Sequence, residues 1–127
     1  MAKILVVDDE EYFCQVLANV LRKRHEVDVA LNIDAAERYF SHASPDLVLL
    51  DAVLRGESGI GYLRRIMIRD PNLKVLVVTA RLDEETEEEA LRSGAVQVVH
   101  KPIQLQAFIA TISKLVEGAQ GNSEGRA

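Results

Sequence analysis

Residues 46–51 read Asp-Leu-Val-Leu-Leu-Asp, an apolar run between two aspartates. The run from Asp46 to Leu50 carries consecutive apolar residues without polar alternation, which is typical of a strand buried on both faces of a sheet. Similar apolar runs occupy residues 3–7, 74–78 and 95–99. A weaker run at residues 26–30 alternates more, which predicts a strand nearer the edge of the sheet.

The segments between these runs favour helices. They cover residues 10–24, 34–44, 60–69, 83–93 and 104–117. Pro45 requires the second helix to end before it, and Gly94 is a typical helix stop for the fourth. Strand and helix therefore alternate along the whole chain. This alternation predicts an α/β fold, a doubly wound (βα)5 three-layer sandwich around a parallel five-stranded sheet.

The length of 127 residues suits one domain, which we place at residues 1–117. Residues 118–127 read GAQGNSEGRA, and this Gly-rich polar composition predicts a disordered tail or a linker stump. The net charge of -5 argues against direct nucleic acid binding by this domain. Because no apolar run is long enough for a signal peptide core or a membrane span, we expect a cytoplasmic protein that does not enter a membrane.

Polar side chains follow four of the predicted strands directly. Asp8 and Asp9 follow the first strand, Asp51 the third, Thr79 the fourth, and Lys101-Pro102 the fifth. In an open parallel sheet, ligands bind at the carboxyl ends of the strands. We therefore expect these side chains to meet at one edge of the sheet.

This set of residues suits phosphoryl transfer. Clustered carboxylates repel one another and attract a hard cation, and Mg²⁺ takes oxygen ligands. An aspartate such as Asp51 can attack phosphorus and form an acyl phosphate. Lys101, the Thr79 hydroxyl and a following backbone N–H are then available for the phosphoryl oxygens. Taken singly, each of these residues is also explained as a helix cap, a turn residue or a surface lysine.

The sequence resembles the receiver domain of two-component response regulators, the CheY-like superfamily, from about residue 3 to residue 117. The likeness rests on four segments: the opening Ile-Leu-Val-Val-Asp-Asp-Glu at residues 4–10, Asp51 after its apolar run with Gly59 eight residues later, Thr79-Ala80, and the ending Lys101-Pro102. It implies the flavodoxin-like sheet order 2-1-3-4-5 and a cis peptide bond between Lys101 and Pro102.

The resemblance also implies a role for each site residue. Asp51 would be the phosphoacceptor. Mg²⁺ would be held by Asp8, Asp9, Asp51 and the backbone carbonyl of Val53. The phosphate-binding and switch residues would be Thr79, Ala80 and Lys101. The domain would catalyse its own phosphorylation and a slow dephosphorylation, rather than turn over a substrate as an enzyme does.

The same likeness predicts the partners of the domain. The phosphoryl group would come from a sensor histidine kinase or a phosphotransfer protein, which the family docks on its first helix. Here that helix offers Phe13, Cys14 and Leu17 or their exposed neighbours. The switched surface would act on a downstream effector protein or a covalently linked output domain.

The sequence departs from the family at several positions. Val98 stands where the family often has an aromatic switch residue, so we expect signal transmission to rely on the Thr79 loop and the fourth helix. Apolar Val53 offers no group to orient water, which predicts a persistent phosphoryl group. The three histidines, His25, His42 and His100, show no metal-ligand spacing. His25 and His42 are expected in loop or surface positions, and His100, next to Lys101, is either a surface residue or a sensor of the site.

Three other functions fit parts of the pattern. A receiver-like interaction module would keep the fold without phosphorylation, although such modules usually lack one of the site residues. A haloacid dehalogenase-like phosphatase would need an Asp-x-Asp signature where this chain has Asp8-Asp9-Glu10. A flavodoxin would need a Ser/Thr- and Gly-rich phosphate loop at that place, which the acidic residues contradict.

Overall fold

The computed structural model describes residues 1–81 and 83–124. The strands are Lys3–Val7 (β1), Glu26–Ala30 (β2), Leu47–Leu50 (β3), Val53–Leu54 (β4), Glu57–Ser58 (β5), Lys74–Thr79 (β6) and Gln97–His100 (β7). The helices are Glu11–Leu21 (α1), Ile33–Phe40 (α2), Gly59–Arg69 (α3), Glu84–Arg92 (α4) and Leu105–Glu124 (α5).

The main sheet has the order β2-β1-β3-β6-β7, and all its neighbouring strands are parallel. When the short strands β4 and β5 are left out of the count, this is the predicted order 2-1-3-4-5, so the predicted α/β fold is confirmed. The register places Val7 opposite both Ala30 and Leu50, and Leu50 opposite Val77. The carboxyl ends of the central strands are therefore level with one another.

The apolar strands are buried because helices cover both faces of the sheet. On one face, Leu5, Val48 and Val75 join the cluster that contains Tyr62 of α3 and Ala90 of α4. On the other, their neighbours in sequence join the cluster that contains Leu17 of α1. Both faces of each central strand need apolar side chains, which explains the unbroken runs in the sequence. Each fully buried side chain of this kind contributes about 1.5–3 kcal/mol.

Helices α1 and α2 end earlier than predicted, because turn hydrogen bonds replace their last helical turns. After α1, the Lys23 N–H donates to Val20 O at 3.3 Å. After α2, the Ser41 hydroxyl donates to Arg38 O at 2.6 Å. Helix α5 instead continues past its predicted end at Glu117 to Glu124. The structure thus shows helix where a disordered tail or linker stump was expected at residues 118–124, while residues 125–127 of that prediction lie outside the described part.

The short antiparallel hairpin β4–β5 was not predicted. Val53 pairs with Ser58, and Leu54 pairs with Glu57. The turn passes through Gly56, whose φ of 73° lies in the left-handed region that favours glycine. The hairpin begins two residues after Asp51.

His25 lies in the loop between α1 and β2, as expected, but it is buried there and not on the surface. Its side chain is 7% exposed, and Nδ1 accepts a hydrogen bond from the Ala2 N–H at 3.2 Å. Burial, together with the nearby N-terminus and Arg24, lowers the pKa of His25. A neutral ring can accept this bond and a charged one cannot, so folding favours the neutral form. Within the described part of the chain, no helix combines the length and apolar character needed to cross a membrane.

Candidate functional site

Three carboxylates meet at the carboxyl edge of the sheet. The backbone ladder continues one residue beyond the strands, since the Asp8 N–H donates to Ala30 O at 3.1 Å and the Asp51 N–H donates to Val7 O at 3.0 Å. This brings one oxygen each of Asp8, Asp9 and Asp51 within 4.8 Å of one another. Asp8 and Asp51 are buried, with 2% and 7% of their surface exposed.

Backbone N–H groups fix the orientation of these carboxylates. The Glu10 N–H donates to Asp8 Oδ1 at 2.9 Å, and the Val53 N–H donates to Asp51 Oδ1 at 3.0 Å. The Arg55 N–H of the β4–β5 turn donates to Asp9 Oδ2 at 2.7 Å. The hairpin is therefore tied to both Asp9 and Asp51, and the carboxylates are held facing one another before any ligand arrives.

Lys101 supplies positive charge to this cluster. Its Nζ lies 2.8 Å from Asp8 Oδ2, 2.8 Å from Glu10 Oε1 and 3.2 Å from Asp51 Oδ2. The ammonium also sits over the Phe13 ring, 4.4 Å from its centroid. Only 11% of the Lys101 side chain is exposed, so these contacts are weakly screened by solvent.

The pKa values of Asp8 and Lys101 respond to this crowding. Burial, more than any other effect, raises the pKa of Asp8, although the hydrogen bond from Lys101 opposes the rise. Burial also opposes the charge on Lys101, but the hydrogen bonds to Asp8 and Glu10 and the attraction of Asp51 outweigh it and raise the pKa of the lysine. The cluster is therefore short of positive charge for its number of carboxylates, which suits a divalent cation.

Thr79 and the residues after it form the next part of this edge. Thr79 is 1% exposed, and its Oγ1 accepts a hydrogen bond from the Arg81 N–H at 3.1 Å. The Lys101 N–H donates to Thr79 O at 2.8 Å, and the Lys101–Pro102 peptide bond is cis. Ala80 lines the same groove as Asp51 and Lys101. The structure thus brings every sequence-predicted site residue to one edge of the sheet.

A groove of about 830 Å³ opens beside the carboxylates and runs along α1. Tyr12 and Val16 line it and are 81% and 41% exposed. Cys14 and Leu17, which were offered for partner docking, are buried, so only their exposed neighbours and half-buried Phe13 face this groove. The Cys14 thiol donates to Asp8 O at 3.3 Å, and burial raises its pKa to about 12.

Two contacts of Lys101 were missed in the sequence. Glu10 was recognised as a third acidic residue but not as a partner of Lys101, and Phe13 was assigned only to docking. Both residues follow β1 closely, at the edge of the sheet where Lys101 follows β7. This placement could have predicted their contacts with Lys101. Gly59 has a further role: a Cβ at this position would lie 1.9 Å from the Asp51 carbonyl oxygen.

Comparison with known proteins gives consistent matches. The sequence profile of the response regulator receiver domain matches residues 4–113. The virulence transcriptional regulatory protein PhoP of Salmonella typhimurium is 33% identical over 122 residues, which cover 95% of this chain and 54% of PhoP. The sensory transduction protein RegX3 of Mycobacterium tuberculosis is 36% identical over 126 residues, which cover 98% of this chain and 55% of RegX3. The chain thus spans about half the length of these curated relatives.

A solved structure described as the BeF3-activated DrrB receiver domain superposes with a TM-score of 0.84 at 26% identity, covering 92% of this chain and 98% of that one. The profile match covers most of the chain and includes every residue of the carboxylate, threonine and lysine cluster. This chain belongs to the response regulator receiver domain family of two-component signalling.

Proposed function

We propose that Asp51 accepts a phosphoryl group from a histidine kinase or a phosphotransfer protein, and that the domain promotes this transfer itself. The observation that carries the proposal is the contact of one lysine ammonium with both Asp8 and Asp51, beside a third carboxylate of Asp9. A nucleophilic carboxylate, a cation and an acidic cluster for a metal thus share one groove. We place this exchange in the cytoplasm.

The oxygen donors of the cluster suit Mg²⁺, which prefers carboxylate, carbonyl and water oxygens. Asp8, Asp9, Asp51 and the backbone carbonyl of Val53 would hold it. When bound, Mg²⁺ would neutralise charge on the phosphoryl oxygens and on the carboxylates. The partial burial of Asp8 and Asp51 strengthens their attraction for a cation, because solvent screens it less.

Besides the metal, the residues already described supply the groups that the transfer needs. A carboxylate oxygen of Asp51 attacks phosphorus, and the new O–P bond forms as the P–N bond of the donor phosphohistidine breaks, with its electron pair returning to the ring nitrogen. Lys101, already within 3.2 Å of Asp51, moves from the carboxylate to a phosphoryl oxygen. The Thr79 hydroxyl and the Ala80 N–H serve another oxygen. Their change of position would alter the surface offered to an effector or a linked output domain.

Incubation with acetyl phosphate and Mg²⁺, followed by intact mass measurement, tests the proposal. We expect one added phosphoryl group, which is absent in Asp51→Asn and in the presence of EDTA. Asp46→Asn is a matched control, because Asp46 stands at the opposite end of the same strand and its Oδ2 accepts from the Lys3 N–H at 2.8 Å. Equal labelling of Asp51→Asn would contradict the assignment, and no labelling of the wild type would favour an interaction-only module.

The lifetime of the acyl phosphate follows from the side chains at the mouth of the site. Val53 is 47% exposed beside Asp51 and presents no polar group that orients an attacking water. We expect the purified, labelled protein to retain its phosphoryl group for much longer than the time needed to mix the reagents. Complete loss of the label within seconds, with no phosphatase present, would contradict this role of Val53.

A further inference from the structure

We infer that His100 is a positioning residue that couples the Thr79 loop to helix α4, in the place where Val98 provides no aromatic switch. The inference rests on the proposed phosphorylation of Asp51 and extends it toward the output surface. It follows from the contacts of the His100 ring, which touches both elements at once.

The first contact joins His100 to the loop that follows Thr79. In the pairing of β6 with β7, Thr79 lies opposite His100. The Thr79 hydroxyl accepts from the Arg81 N–H at 3.1 Å, and the Arg81 carbonyl oxygen lies 3.2 Å from His100 Nδ1. Any displacement of the Thr79 hydroxyl either carries the Arg81 backbone with it or breaks its bond to Arg81. In both cases the position of the Arg81 carbonyl oxygen, which His100 contacts, can change.

The second contact joins His100 to α4. Its Nε2 lies 3.3 Å from Glu87 Oε1, one turn into that helix. Both ring nitrogens therefore face oxygen atoms: a neutral ring donates a hydrogen bond to one of them, depending on its tautomer, and a protonated ring donates to both, so the ring lies between the Arg81 backbone and the Glu87 side chain. The Glu87 and His100 side chains are 44% and 35% exposed, so this bridge lies at the protein surface.

The position of His100 on β7 fits this role. Side chains two residues apart on a strand share a face, so Val98 and His100 point to the same side of the sheet. Val98 packs against the cluster that contains Ala90, the buried residue of α4. Helix α4 buries Ala90 and forms an ion pair with α3, between Glu89 and Arg64. Among the described residues, the contact from His100 to Glu87 is the side-chain hydrogen bond that joins α4 to β7.

The test uses BeF3⁻ with Mg²⁺ as the phosphoryl mimic and follows backbone amide NMR shifts. In the wild type, we expect shifts near Asp51 and along α4. In His100→Ala, the shifts near Asp51 should persist while those of α4 fall to about half or less of their wild-type size. Glu87→Ala should reproduce this loss, and the double variant should lose no more than either single one, since the two residues act as one contact.

Matched controls separate coupling from general damage. His42→Ala removes an exposed histidine elsewhere, and Glu88→Ala removes the neighbouring glutamate, which is 67% exposed. Both should keep the wild-type response of α4. Full α4 shifts in His100→Ala or in Glu87→Ala, with normal shifts near Asp51, would overturn the role of His100. No shift near Asp51 in the wild type would instead overturn the proposed function, and this inference with it.

Discussion

Replacement of Gly59 by alanine tests how tightly α3 is packed against the backbone of Asp51 and Ala52. The added Cβ would lie 1.9 Å from the Asp51 carbonyl oxygen, 2.8 Å from the Ala52 carbonyl carbon and 2.9 Å from its oxygen. All three are backbone atoms, so no side-chain rotation can make room. The start of α3 or the segment after β3 must move by about 1 Å or more, since overpacked positions in a tight core relax only by such shifts.

The expected cost follows from two opposing effects. Overpacking costs about 1–3 kcal/mol and occasionally more, and a clash with rigid backbone belongs at the upper end. Alanine regains at most about 1 kcal/mol from its higher helix propensity. We therefore expect Gly59→Ala to lower the free energy of unfolding by about 2–3 kcal/mol. In urea denaturation this moves the midpoint down by roughly 1–2 M without a change in slope.

Gly61→Ala is the matched control, because Gly61 lies in the same helix two residues later. A Cβ there would meet only the Ser58 side chain, at 3.3 Å and 3.4 Å. The Ser58 hydroxyl, which caps the helix by accepting from the Gly61 N–H at 2.9 Å, must then shift by a few tenths of an ångström, and this cost offsets the helix propensity gain of about 0.5–1 kcal/mol. Gly61→Ala should thus move the urea midpoint much less than Gly59→Ala does. Equal midpoints for Gly59→Ala and Gly61→Ala would refute the reasoning.

Three further predictions concern ionisable groups whose pKa values are shifted in the folded protein. The pKa of Glu37 is lowered mainly by hydrogen bonds from Arg69, and Glu37 also accepts a hydrogen bond from the buried Tyr62 hydroxyl. The ionised Glu37 therefore stabilises the fold above its unfolded pKa of about 4.5, and this stabilisation is lost as pH falls through the folded pKa. Glu37→Gln should cost about 1–3 kcal/mol at pH 7 and flatten the acid limb of the unfolding curve; an unchanged limb would contradict this. The pKa of His25 is lowered by burial, so the unfolded chain binds its proton more tightly than the folded protein does. The free energy of unfolding should therefore fall as pH drops below about 6.5. Chemical denaturation at several pH values should show this slope in the wild type and not in His25→Gln. The Cys14 thiol, with its pKa raised to about 12, should resist iodoacetamide at pH 8 until guanidinium unfolds the protein; rapid labelling of the native state would show that the thiol is accessible.

The sheet could be predicted from the sequence because its unbroken apolar strands must be covered on both faces. Leu47 to Leu50 are buried on both faces, and a run with that requirement fits only the interior of a covered parallel sheet. The ends of α1 and α2 were less predictable, because the final turn is decided by competing local hydrogen bonds such as that from Ser41 to Arg38. The hairpin of β4 and β5 was missed since strands of two residues carry no periodicity, and Gly56 was its one signal.

The residues at the strand ends were predictable for a related reason. Once the sheet is parallel, backbone pairing alone brings Asp8 and Asp51 to the same edge, as the Asp51 N–H bond to Val7 O shows. Long side chains at that edge were not predictable in the same way. The Lys101 side chain is long and flexible, so the sequence does not predict that it contacts Glu10 and the Phe13 ring as well as the two aspartates.

Positions set by backbone pairing are predictable from the sequence, and contacts made by single side chains are not. For this reason the Asp51 site is visible in the sequence while the connection from β7 to α4 is not. At the Asp51 site, three carboxylates at neighbouring strand ends repel one another, and Lys101 supplies positive charge that offsets part of this repulsion. On the output side, a single residue can connect β7 to α4 from more than one position on the same strand face. Val98 and His100 share that face, and the polar contact from His100 to Glu87 connects the two elements where an aromatic ring would otherwise do so by packing. A missing aromatic at one position therefore moves the coupling along the strand and leaves the site chemistry unchanged.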